Sequence, residues 1–142
     1  MRVRNVAVIG IVVGLSVSTF AQAHRRDGQW DVTTEIQMPN MPMKMPPVQS
    51  KQCITPEEAA DPQSTIPSDP KSKCVMSNYQ LVDENKATWN VKCENPPGAG
   101  TGVVTYGAGT FDGAMTIKTM SDNQEYTMVM KFTGVRKGDC VK

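Results

Sequence analysis

The sequence holds one histidine, His24, in 142 residues, and none of its four cysteines belongs to a CxxC pair. With one histidine there is no Ser-His-acid or Cys-His arrangement to build. Without CxxC, a thioredoxin-like redox centre or a zinc site has little to rest on. Paired acids do occur at Glu57-Glu58 and Asp83-Glu84. The first pair reads as helix-start acids favoured by the helix dipole and the second as a turn. The expectation is a protein that is not an enzyme, with no catalytic residues and no obligatory cofactor.

Long apolar runs are also scarce. The one of note covers residues 6–17, is interrupted by Gly10, Gly14 and Ser16, and falls short of the roughly 20 residues a bilayer-spanning helix needs. It follows Arg2 and Arg4 and leads to Ala21-Gln22-Ala23, which together make the pattern of a secretory leader cleaved after Ala23. No cysteine follows the leader as a lipidation site. The expected organisation is therefore a signal peptide over 1–23 and a single β-rich domain over 24–142, periplasmic or secreted, with no transmembrane segment in the mature chain. Loss of Arg2 and Arg4 takes 15 basic residues to 13 against 14 acidic, a net charge of −1. Such a balance carries no electrostatic footprint for nucleic acid. Arg25-Arg26 reads as a solvated, frayed end.

What is present is strand patterning. Residues 29–38 alternate, with Trp30, Val32, Ile36 and Met38 on one side and Asp31, Thr33, Glu35 and Gln37 on the other. A short strand is expected over 48–54. Thr55-Pro56-Glu57-Glu58 then reads as an N-cap, a proline at the first helical position and acids in the first turn, limited to one or two turns by Pro62. Residues 75–82 and 86–93 form a hairpin around Asp83-Glu84-Asn85, with Asn85 left-handed in a three-residue loop; Tyr79 would then face Trp89 and Leu81 would face Ala87. A turn at Ala108-Gly109 sets Tyr106 against Phe111 and Val104 against Gly113. A turn over residues 121–124 sets Ile117 against Met128, Met115 against Met130 and Gly113 against Phe132. The two turns agree on one apolar side and leave Thr105, Asp112, Thr116, Lys118, Thr127 and Lys131 on a wet one. The fold expected is mainly β: an antiparallel meander of six or seven strands curled into a barrel or half-barrel, with one short helix and two disulfides.

Four cysteines allow three connectivities. Cys74 and Cys93 bracket one hairpin and form the local pair, leaving Cys53 for Cys140. The three-residue loop, however, sets Cys74 opposite Glu94, so a bulge or a different turn is needed to align the pair.

The stretches Gly28-Gln29-Trp30-Asp31-Val32-Thr33-Thr34, MPNMPMKMPP, KQCITPEEA, CENPPGAGTG, TFDGAM and GVRKGDC together resemble the bacterial secreted domain-of-unknown-function family 3617. The resemblance covers nearly the whole mature chain. It implies a small exported domain and brings no catalytic residues with it.

Two binding chemistries stand out. Phe111, Met115, Ile117, Met128, Met130 and Phe132 on the inner face, capped by the Met/Pro loop of residues 38–47, would suit a small apolar ligand or an envelope protein partner, against the plainer reading of a filled core. Met38, Met41, Met43 and Met45 are soft thioether ligands, and a mature His24 adds an imidazole and a free α-amine, which points instead to Cu(I) or Ag(I). Periplasmic copper carriers are similar in combining an N-terminal histidine with a Met-rich loop, but they recruit a second histidine that this chain lacks. Methionine is also used freely elsewhere, at Met76, Met115, Met120, Met128 and Met130.

Overall fold

A computed structural model describes residues 25–39, 41, 45–61, 63, 71 and 73–141. The leader, His24 and Met43 lie outside them. Seven strands, β1 (Gly28–Gln37), β2 (Val48–Ile54), β3 (Cys74–Asp83), β4 (Lys86–Glu94), β5 (Pro97–Tyr106), β6 (Thr110–Ser121) and β7 (Gln124–Gly138), form one antiparallel sheet in the order β2-β1-β7-β6-β5-β4-β3. Between β2 and β3 lies one short helix, α1 (Pro56–Ala60).

Strands β3 to β7 are the expected meander, but β1 joins it out of sequence by pairing with β7, where Thr34 faces Phe132 and Ile36 faces Met130. The β1–β2 unit is thereby carried to the far side of the sheet. β2 and β3 become its two edges, and the sheet is not closed into a barrel. A simple meander pattern cannot announce this, because strand alternation specifies faces and not neighbours.

Both downstream hairpins have the expected registers: Tyr106 faces Phe111, Ile117 faces Met128 and Met115 faces Met130. Asp122 and Asn123 make the β6–β7 turn with φ of 50° and 60°, the left-handed pair that a two-residue turn matching strand twist requires. The β3–β4 hairpin differs. Its loop is the two residues Glu84-Asn85 between the paired Asp83 and Lys86, and Asn85 is not left-handed. Instead Asn78 takes φ 51°, and a bulge places both Asn78 and Tyr79 opposite Trp89. The bulge leaves Leu81 facing Ala87 as expected and brings Cys74 directly opposite Cys93.

The helix begins as its sequence dictates. Glu58 N–H donates to the Thr55 hydroxyl at 3.2 Å while the Glu58 carboxylate accepts from Thr55 N–H at 2.9 Å, a reciprocal cap that satisfies two otherwise orphan donors. The small turn buries Ala59 against the sheet.

One face of the sheet is dry. Trp30, Val32, Trp89, Val104, Tyr106, Phe111, Met115, Ile117 and Phe132 are buried on it, and the rings of Trp30, Phe111, Phe132 and Trp89 form a chain with centroids 5.3 to 6.4 Å apart. Each of three rings lies over the glycine directly opposite: Trp89 over Gly102, Phe111 over Gly134, Phe132 over Gly113. A Cβ at any of the three would collide with the ring. On the other face Asp112, Lys118 and Lys131 are exposed and Thr105, Thr116 and Thr127 half-buried, as the alternation required.

The N-terminal segment is not frayed. Arg25 is 3% exposed, its guanidinium 3.9 Å from the Phe111 ring centroid and 5.7 Å from that of Trp30, and it donates to Gln52 Oε1 at 3.1 Å. The Trp30 indole donates to the Arg26 carbonyl at 2.8 Å, and Arg136 Nε donates to the Asp27 carbonyl at 2.7 Å. Two adjacent arginines near a terminus read as solvated because sequence does not reveal aromatic faces that attract a guanidinium.

The disulfides are Cys53–Cys140 and Cys74–Cys93, with sequence separations of 87 and 19. Chain-entropy arguments give about 4.6 kcal/mol for the long closure and about 3.2 for the short one. Replacing each pair by alanine and measuring urea unfolding is expected to rank Cys53/Cys140 as the costlier loss, by about 1 kcal/mol.

Candidate functional site

The Met/Pro loop joins β1 to β2, and its chemistry begins where β1 stops. Pro39 cannot donate to a ladder, so pairing ends at Gln37 and the chain turns: Met41 N–H donates to the Met38 carbonyl at 2.9 Å. Proline at the second position of such a turn has its φ already set. Beside the strand end lies a hollow of about 540 Å³ lined by Glu35, Ile36, Gln37, Met38, Pro39, Met41, Met45 and Pro47. That volume lies in the range of small-molecule sites. Met41 is 42% and Met45 39% exposed, so both thioethers are open to solvent.

Through Ile36 the hollow meets the end of the dry face. Ile36 pairs with Met130, Met130 with Met115, and Ile117 with Met128. Met128 and Met130 are only partly buried, whereas Phe111, Met115, Ile117 and Phe132 are packed in the core. The six inner-face residues singled out from sequence thus divide into four core residues and two partly buried methionines packed against that core, and none of the six lines the hollow. Of the thioethers singled out for metal, Met38, Met41 and Met45 share the hollow, while Met43 and His24 lie outside the described residues.

Among the described residues no group of three or more His, Cys, Asp or Glu could hold a metal ion. No cysteine is free. No helix among them is long and apolar enough to cross a membrane.

A polar cluster missed from sequence occupies the opposite end of the dry face, where Arg25, Gln52, Tyr106 and Tyr79 meet. Burial lowers Arg25 to about 10, with Tyr106 opposing that shift, so the guanidinium stays charged at neutral pH. Its Nε has no hydrogen-bond partner, nor does the Trp89 indole nitrogen. Burial first, then the Tyr106 charge and the hydrogen bond to Tyr106, hold the Tyr79 phenol well above its ordinary value. The one sequence signal for this cluster was the bulge needed to align the cysteines, since that bulge contains Tyr79.

With this arrangement in place, the comparison with known proteins is informative at one level. Residues 25–140 match the model of a family described as a protein of unknown function, DUF3617. The chain belongs to that family. No curated protein and no solved structure matches it. The description of DUF3617 names no ligand or partner.

Tyr79 gives a pH test of the cluster. A phenol whose pKa is raised by folding stabilises the native state below its unfolded pKa of 10, and that stability is lost as pH rises above 10. Arg25 acts in the opposite sense over the same range, because folding lowers its pKa. Urea unfolding from pH 8 to 11 is therefore expected to fall less steeply above pH 10 in Tyr79→Phe than in the parent at matched pH. An unchanged slope would show that the phenol is not held neutral.

Proposed function

We propose that this is an exported, non-catalytic domain that binds a small apolar ligand in the Met/Pro hollow, presented to it by the cell envelope. The observation that carries the reading is the hollow itself: thioethers and prolines gathered around one solvent-open space beside the end of β1. Leaving Met41 and Met45 this exposed forgoes stabilisation of about 25 cal/mol per Å² of apolar surface, a loss that an occupant would recover. Met side chains are unbranched and repack around varied shapes, which suits a site for a flexible apolar molecule. Export fits the two disulfides, which persist in an oxidising, non-cytoplasmic environment. The non-catalytic part rests on a single histidine in the sequence and on every cysteine being bridged.

The test uses the uncharged dye N-phenyl-1-naphthylamine, followed by fluorescence and displaced by decanol. Met41→Lys combined with Met45→Lys places two charges in the hollow at exposed positions, where substitutions usually disturb stability little. Dye affinity is expected to fall at least tenfold with the unfolding midpoint unchanged. Undiminished dye binding by the double variant, or none by the parent, would exclude the hollow as the apolar site.

A further inference from the structure

The same loop carries a second chemistry that apolar packing does not use. The turn closed by Met41 N–H on the Met38 carbonyl holds the Cα atoms of residues 38 and 41 within about 7 Å of each other. Met45 lines the same hollow. Three thioethers therefore line one solvent-open hollow, on side chains whose three rotatable bonds let the sulfurs reorient. Sequence offers a run of methionines; the fold selects Met38, Met41 and Met45 from it and places them around one space.

We propose that Met38, Met41 and Met45 together bind a monovalent soft metal ion, Cu(I). Thioether sulfur is neutral, soft and polarisable, so it prefers Cu(I) or Ag(I) to the harder Mg²⁺, Ca²⁺ or Zn²⁺. The described lining supplies one carboxylate, Glu35, and no imidazole or thiolate, so the usual zinc donors are not gathered there. The hollow opens to solvent, which gives the ion an entry path. Thioethers also differ from histidine, cysteine and carboxylate in having no proton to lose before they coordinate. Binding through them is then nearly independent of pH, whereas a site built on the other donors weakens as pH falls. This proposal stands apart from the apolar-ligand reading, since it needs the sulfur atoms and not the apolar volume.

The experiment uses the purified chain with both disulfides intact and a variant combining Met38→Leu, Met41→Leu and Met45→Leu, which keeps the apolar bulk and removes the sulfur. Cu(I) affinity is measured against a chromophoric Cu(I) chelator at pH 5 and pH 7. Ag(I), which is redox-inert toward the disulfides, is titrated while the methionine methyl resonances are followed by NMR. The expected result is one equivalent bound, affinity equal within about threefold at the two pH values, and at least a tenfold loss in the leucine variant. The methyl signals of Met38, Met41 and Met45 should shift on Ag(I) addition, while those of Met115, Met128 and Met130 stay in place. Metal affinity retained by the leucine variant, a steep fall at pH 5, or Ag(I) shifts spread over Met115, Met128 and Met130 would each overturn the site. Dye binding retained by the leucine variant after metal binding is lost supports this assignment, because it separates sulfur from apolar bulk. Dye binding with no metal binding by the parent overturns the metal site alone.

Discussion

Everything in this domain depends on how a single open sheet keeps one face dry. The device is a set of aromatic rings laid across directly opposing glycines: Trp89 on Gly102, Phe111 on Gly134 and Phe132 on Gly113. A flat ring against bare backbone removes water from both partners, and it does so only in one register. A slip of one residue would turn the ring away to the wet face and put a side chain where the ring lay. Three such contacts on β4 to β7 therefore set register and burial together. The Trp30 ring then extends the cluster onto β1 by lying 5.3 Å from Phe111.

That extension explains why the chain accepts a non-sequential pairing. Joining β1 to β7 demands closure of a long stretch of chain, which is entropically unfavourable before any contact forms. The Cys53–Cys140 bridge spans the same two parts of the chain and removes much of that entropy from the unfolded ensemble. Arg25 closes the end of the same seam. Burying a guanidinium without a carboxylate is unfavourable in apolar surroundings, and here the faces of Phe111 and Trp30 and the side-chain amide oxygen of Gln52 offset part of that.

Much of the fold was legible because local chemistry and global packing agree. Thr55, Pro56 and Glu58 announce the helix, and alternation around Asp122-Asn123 gives the β6–β7 register. The illegible parts share a physical cause. Asn78 is left-handed because Cys74 must meet Cys93, a demand that no residue near Asn78 expresses. Arg25 is buried by rings 5 and 86 residues away in sequence, and β1 finds β7 through contacts of still longer range. As for the candidate site, the sequence identified the loop but could not separate packed from presented side chains, so Phe111 and Phe132 were grouped with Met128 and Met130.

That separation is where structure bears most on function. Met115 and Met41 are the same residue in two physical states. Met115 is packed on the dry face, where its sulfur adds adaptable filling, and Met41 is held out by a proline turn that has no pairing strand to satisfy. Prolines at 39 and 47 stop the loop from extending either strand. Their fixed φ restricts the backbone where the chain leaves β1 and where it enters β2. A core glycine or ring change would act on stability across the whole sheet, while a change at Met41 or Met45 acts on a surface that the fold does not need. The register rests on rings and glycines of the sheet, whereas the proposed binding rests on Met41 and Met45 of the loop outside it.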